Sequence, residues 1–380
     1  MHLPDVGYDH FVELWPSAAE PEITIVMPLY RQKDFVQDSI PSALSQRGVC
    51  TEIILSDDGS NDGTFEEALR VVSSWLEGSE CRHRILVRRG RQRLWRDHLP
   101  LLVDNACCDV VCQAHGDDLS TPDRCLKLVS VFNADPLISL VASEQALFVG
   151  SRHRCRETKT EDGHVALRQY TRTEIIDGQT LLVGALLAWR KTAVSRFARL
   201  DSRLAAASHD RILAFRASLT GKVVLIEEPL VKRREHPSQA SRLTFHEPRQ
   251  NCSFGWSLLR LNALWAMRRD LSRALDLAVI STDTKNMLEG EIDGRLAVFQ
   301  QGLVESFRVH THAGKYIAWV DEDTLRRLNI NSISGVKLRM KPLVMPLWRK
   351  ATLLLHAVRN LAGRLRRAGS RSVNRVQDTV

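Results

Sequence analysis

The stretch Val110-Val111-Cys112-Gln113-Ala114-His115-Gly116-Asp117-Asp118-Leu119-Ser120-Thr121-Pro122 sets the expectation for the fold. A β-branched apolar run reads as a buried strand, and a strand buried on both faces belongs in a sheet covered by helices. Open α/β sheets bind ligands beyond the carboxyl ends of their strands, which is where Asp117 and Asp118 fall. Carboxylates in that position are costly unless they hold a cation or a polar ligand. The same pattern occurs upstream, where Glu52-Ile53-Ile54-Leu55 runs into Ser56-Asp57-Asp58-Gly59-Ser60. Two strands ending in acid pairs point to one cleft, suited to a metal ion and a nucleotide.

Working outward, Ile23-Thr24-Ile25-Val26-Met27 reads as a strand that ends at Pro28. Helical spacing follows through Phe35, Ile40, Ala43 and Leu44, with Pro41 at a helix start or a kink. Thr64-Phe65-Glu66-Glu67 has the spacing of a capping box and opens a helix that runs to about Trp75. Ile85-Leu86-Val87 is a further strand. Strand and helix alternate over this part, which argues a doubly wound, mostly parallel sheet. Beyond Pro122, Leu126, Val129 and Phe132 share one helical side, and Ser139 to Ala142 returns to strand. Residues 150–172 show no period and read as a surface loop. Ala185 to Trp189 and Val223 to Ile226 are strands, with a helix beyond Asp210 on Ile212, Phe215 and Leu219.

These signals divide the chain into a short irregular lead (1–21), an α/β domain (22–245), a helical region (246–340) and a basic tail (341–380). In the helical region Leu288, Ile292, Leu296, Phe299, Leu303 and Phe307 form a stripe at three-and-four spacing, read as core packing or as a homodimer seam. Lysine and arginine recur from Lys337 to Arg375 without a single acid, although the whole chain of 380 residues carries a net charge of only +8. Leu347, Ala351, Leu354, Val358, Leu361 and Leu365 fall on one helical face, with arginines around the remainder. Such a helix suits an anionic membrane surface or docks on its own domain. No aromatic interleaving or nucleic-acid motif accompanies the charge, so nucleic acid is not an expected partner. No apolar run approaches the roughly 20 residues of a membrane span. The first residues lack the pattern of a secretory signal. Eight scattered cysteines without a CxxC pair read as reduced thiols, and the location expected is cytoplasmic.

Taken in order, five motifs resemble glycosyltransferase family 2, the inverting GT-A enzymes that use nucleotide sugars. Ile25-Val26-Met27-Pro28-Leu29-Tyr30 is similar to the family's first strand and nucleotide turn, and Ser56 to Thr64 to its second signature. His115-Gly116-Asp117-Asp118 stands at the DxD position. Ser208-His209-Asp210, with Arg216 beyond it, is similar to the catalytic-base region, and Arg233 to Ser238 to the closing motif. The resemblance implies a Rossmann-like GT-A domain followed by helices, and transfer of a sugar to a glycan or lipid-linked glycan in bacterial surface polysaccharide synthesis. UDP-sugars are the first donors expected. It further implies Asp210 as general base, and Pro28, Tyr30, Asp57 or Asp58, His115, Asp118 and Arg216 at the nucleotide sugar. Asp117 and His236 would hold Mn2+ or Mg2+, hard cations that take oxygen ligands readily. Asp118 is alternatively a cap, and Arg216 a salt-bridge partner. Two residues depart from the family pattern: His115 replaces the first Asp of DxD, and His209 the acid before the base. The segment Gly90 to Asp97 also lacks the family's Arg-Asn pattern, with Arg91, Arg93 and Arg96 placed near the cleft. A nucleotide-sugar binder without turnover is the alternative that His115 and His209 raise.

Overall fold

The computed structural model describes residues 8–14, 19–78, 81–91, 94, 98–149, 152–154, 166–197, 209–237, 239 and 252–309. The basic tail, together with Arg93, Arg96, Ser208 and Ser238, lies outside the described residues.

In chain order the elements are β1 (Tyr8–Leu14), β2 (Ile23–Leu29), α1 (Lys33–Leu44), β3 (Thr51–Asp57), α2 (Thr64–Gly78), β4 (Arg84–Gly90), α3 (His98–Asp104) and β5 (Val110–Gln113). Next come β6 (Leu119–Ser120), α4 (Arg124–Ala134), β7 (Ile138–Val149), β8 (Arg152–Arg154), β9 (Leu167–Tyr170) and α5 (Arg172–Asp177). After a 3-10 turn at Gly184–Leu186 follow β10 (Leu187–Arg190), α6 (Lys191–Val194), α7 (His209–Thr220) and β11 (Lys222–Arg234). Two long helices, α8 (Cys252–Asp276) and α9 (Thr282–Val309), close the described chain.

The strands form one mixed sheet in the order β1-β4-β3-β2-β5-β10-β7-β11-β6, with β8 on β7 and β9 on β11. Its parallel part is β4-β3-β2-β5. From there β10 runs antiparallel to both β5 and β7, and β7 and β11 are parallel again. The chain grows outward from β2 to β3 and β4, then returns to place β5 on the other side of β2. That reversal is a topological switch point, and it opens a crevice at the carboxyl ends of β2 and β5.

The apolar runs form these strands because both faces are covered. On one face Ile23, Ile25, Ile53, Leu55, Ile85, Val87 and Cys112 pack with Val36, Ile40, Phe65, Val72 and Phe132 of the helices. The alternate residues Val26, Ile54, Leu86 and Val111 are buried as well. Each such side chain contributes about 1.5–3 kcal/mol on burial. In the helical region Leu288, Ile292 and Leu296 of α9 are buried, as are Leu264, Met267 and Leu271 of α8, and the two helices pack together. For those three residues the stripe is core packing. Among the described residues no helix is long and apolar enough to cross a membrane.

Four local expectations are corrected. The lead is not irregular throughout, because β1 pairs antiparallel with β4 along the sheet edge. An edge strand needs no continuous apolar run, so its sequence gives a weak signal. The capping box at Thr64 does not form: Thr64 Oγ1 accepts the Gln32 N–H at 2.9 Å and donates to Asp62 Oδ1 at 2.6 Å. Thr171 and Glu174 make a true capping box on α5. Pro41 sits inside α1, close to its end, where Ser45 N–H still bonds to its carbonyl. Within the expected loop 150–172, β8 and β9 are strands, and α5 starts at Arg172.

Candidate active site

The crevice is lined first by the turn after β3. Asp57 is fully buried and accepts the Ser60 N–H at 2.9 Å and the Ser60 hydroxyl. Burial pushes its carboxyl above the ordinary range, against the Ser60 hydrogen bonds that pull it down. Asp58 accepts the Leu94 N–H on Oδ1 at 2.6 Å, and its own N–H bonds to the Leu29 carbonyl of β2 at 2.8 Å. Gly59 and Gly63, with φ of 71° and 89°, take the left-handed backbone that lets this turn double back. Arg31 adopts φ of 53° at the end of β2, a strained value for a side-chain-bearing residue, and its N–H bonds to Ser60 Oγ at 2.9 Å. Pro28 and Tyr30 beside it are half-buried, and the Arg31 guanidinium lies 5.3 Å from the Tyr30 ring centre.

The second turn follows β5. Gly116 is required there by close approach, since a Cβ would come within 2.4 Å of Gln32 and Leu29 side-chain atoms. His115, Asp117 and Asp118 each offer a ligand atom, and these atoms lie within 4.8 Å of one another. Asp117 Oδ2 is 3.0 Å from His236 Nε2, which β11 delivers to the crevice. Burial works against the Asp117 anion, but the His236 hydrogen bond and the neighbouring His115 outweigh it and hold the carboxyl below its ordinary range. For His115, burial favours the neutral ring, yet the surrounding Asp118, Asp117 and Asp210 leave its value raised.

Asp118 is turned to the backbone, where its Oδ1 accepts the Arg234 N–H at 2.9 Å. It thereby pins the end of β11 to the second turn. Asp210 opens α7 and accepts the Gly184 N–H on Oδ2 at 3.1 Å. A Cβ on Gly184 would meet the Gln113 amide at 2.9 Å, and that amide lies 3.0 Å from His115 Nε2. The Asp210 carboxylate is thus anchored beside the Gly184 turn, and its charge acts on His115. His209 Nε2 is buried with no hydrogen-bond partner among the described residues.

Arg216 is the one expected site residue that the fold takes elsewhere. Its guanidinium makes a two-point ion pair with Asp270 of α8, at 2.7 and 3.0 Å, with both side chains buried. The salt-bridge alternative is the one realised, in the interior and not at the surface.

Sequence reasoning did not single out several residues that build the site. Arg234 stacks between the Phe35 and Phe148 rings, at 5.4 and 4.7 Å from their centres, and bonds to the Asp117 carbonyl and the Asp38 carboxylate. Arg124 is buried and joins the Gln113 and Ala185 carbonyls at 3.0 and 2.7 Å, tying β5 to the Gly184 turn. The only sequence signal for Arg234 was its place in the closing motif.

The donor set fits a divalent cation. The Asp117 carboxylate is close to two imidazoles and to the Asp118 carboxylate, and a diphosphate can complete a shell that protein fills only in part.

The mixed sheet, with its acidic, histidine-bearing crevice at the switch point, finds GT-A-like folds among solved structures. Residues 24–183 match the Glycosyl transferase family 2 model, so this segment is a family 2 glycosyltransferase domain. It is 29% identical over 128 residues to the putative glycosyltransferase EpsE of Bacillus subtilis (strain 168). That match covers 34% of this chain and 44% of EpsE, so the chain spans less than half of that relative. Among solved structures, S. aureus TarS 1–349 in complex with UDP aligns over 89% of this chain and 87% of its own, with TM-score 0.50 and 13% identity. At that identity the likeness speaks for the fold alone. The mannosyltransferase PcManGT from Pyrobaculum calidifontis, in complex with GDP-Man and Mn2+, covers 91% of this chain and 88% of its own, with TM-score 0.46 and 15% identity.

Proposed function

We propose that this chain is a metal-dependent inverting glycosyltransferase that moves a sugar from a nucleoside diphosphate donor, a UDP-sugar first, to a glycan or lipid-linked glycan. The observation carrying this reading is the meeting of Asp117, His236 and His115 at the switch point, with the Asp210 carboxylate among the charges that act on His115. In this reading Asp210 takes the proton of the acceptor hydroxyl as its oxygen attacks C1 of the donor sugar. The Gly184 N–H orients that carboxylate. A single displacement inverts the anomeric centre without an enzyme nucleophile, unlike the paired carboxylates of a glycosidase.

Asp117 and His236 hold the cation. When bound, the cation offsets the negative charge that grows on the departing diphosphate. Asp57 is committed to Ser60, so Asp58, with Pro28 and Tyr30, is the residue assigned to the nucleotide base. The basic segment 341–380 is assigned to an anionic inner membrane surface, which suits an acceptor carried on lipid in surface polysaccharide synthesis. Flotation with anionic liposomes should recover the full chain and not a truncation at Lys341; equal recovery refutes the attachment.

The test of the activity is a panel of UDP-, GDP- and dTDP-sugars with Mn2+ or Mg2+, scored by release of the nucleoside diphosphate. Turnover that is lost in Asp117→Ala and Asp210→Ala, with the fold kept, supports the reading. His115 and His209 favour a second reading, a nucleotide-sugar binder without turnover. Donor binding with no release under any metal would establish it.

A further inference from the structure

On top of the metal-dependent reading above, we infer that His115 is a metal-directed residue, and that it biases the site toward Mn2+, Co2+ or Zn2+ over Mg2+. Its ring nitrogen belongs to the one group of atoms, among the described residues, close enough together to hold an ion. Asp118 is placed to orient that ring. One of its oxygens faces His115 Nδ1 at 3.6 Å, while the other is held by the Arg234 N–H at 2.9 Å. Asp118 is 5% exposed, so it is held in place beside the ring. A carboxylate behind one nitrogen of an imidazole is the usual outer partner that aims the ring at a metal.

The opposite nitrogen, Nε2, lies 3.0 Å from the Gln113 amide, whose oxygen is buried without a hydrogen-bond partner among the described residues. With Asp118 at one nitrogen and the Gln113 amide at the other, both the plane and the rotation of the ring are set. His236 supplies a second imidazole next to Asp117, its ring 4.3 Å from Phe35 and its Nε2 3.0 Å from Asp117 Oδ2. Asp117 therefore has the nitrogens of two histidines close to it. Mg2+ prefers oxygen and gives up water reluctantly, whereas affinity for imidazole rises from Mn2+ through Co2+. An aspartate at position 115 would make this side of the site all oxygen.

The experiment titrates the full chain, and its His115→Asp variant, with Mg2+, Mn2+, Co2+ and Zn2+, each alone and with UDP. The wild type should bind Mn2+ at least about tenfold more tightly than Mg2+, and His115→Asp should narrow that ratio by a similar factor. A second readout avoids reliance on the variant's folding. Pulsed EPR of Mn2+ on wild-type protein with 15N-histidine should register two imidazole nitrogens. Equal Mg2+ and Mn2+ affinities in the wild type, or a single coupled nitrogen, overturn the inference and leave the metal-dependent reading standing. Absence of binding by every metal in the presence of UDP overturns that reading instead.

Discussion

The two acidic turns share one sequence pattern, an apolar strand ending in Asp-Asp, but the fold treats them differently. After β3 the first acid is structural, because Asp57 accepts both the N–H and the hydroxyl of Ser60, three residues on. After β5 the second acid is structural, because Asp118 accepts the Arg234 N–H, 116 residues on. In the first turn the structural acid is satisfied within the turn. The second is complete only when β11 has docked, and docking also delivers His236 to Asp117. Each doubled acid thus includes one residue that builds the turn, the first of the pair after β3 and the second after β5.

This comparison can be broken most sharply at Asp117. Asp117→Ala should lower donor turnover on the order of a thousandfold while cooperative unfolding is retained. An Asp118→Ala variant with the larger turnover loss would reverse the roles assigned to the pair. The next effect concerns α7, whose start carries Asp210 and whose interior carries Arg216. Asp270→Ala leaves a buried guanidinium unpaired and should cost about 3–5 kcal/mol in denaturant unfolding. The KM for donor should stay unchanged, and a raised KM with normal stability would return Arg216 to the nucleotide.

The first turn also has a pH signature of its own. Ser56 Oγ lies 2.9 Å from His98 Nε2, and burial, aided by the Arg88 charge, lowers His98 from 6.5 to about 4. The unfolded chain takes up the proton first as pH falls. Stability present above pH 6.5 is therefore lost progressively toward pH 4, by at most about 3 kcal/mol. Urea melts across that window should show the loss, and His98→Gln should flatten it. The smallest effect separates the two structural acids. Asp57→Asn and Asp118→Asn should each cost about 1–3 kcal/mol, but only Asp118→Asn should speed amide exchange at the end of β11. Equal exchange there in both variants would remove the distinction drawn between the turns.

The parallel core was legible because strands such as Ile53 to Leu55 and Val110 to Cys112 are buried on both faces and end in marked turns. Family motifs then located Asp117, Asp210 and His236 in the sequence. What stayed hidden depends on partners distant in the chain. Arg216 and Asp270 are 54 residues apart, and no periodicity in either helix announces their pairing. Arg234 draws its role from two aromatic rings on α1 and β7. β1 was missed because edge pairing is made by backbone groups, which every residue carries. The Thr64 box failed because a competing donor, the Gln32 N–H, reached the hydroxyl first.

The most direct measurement is calorimetric binding of UDP to the full chain with Mn2+ present, after chelation, and in Asp117→Ala. If residues 119 positions apart in the chain grip one cation against the diphosphate, binding should be strong only in the first case and nearly lost in the other two. UDP binding of equal strength in all three would contradict the account.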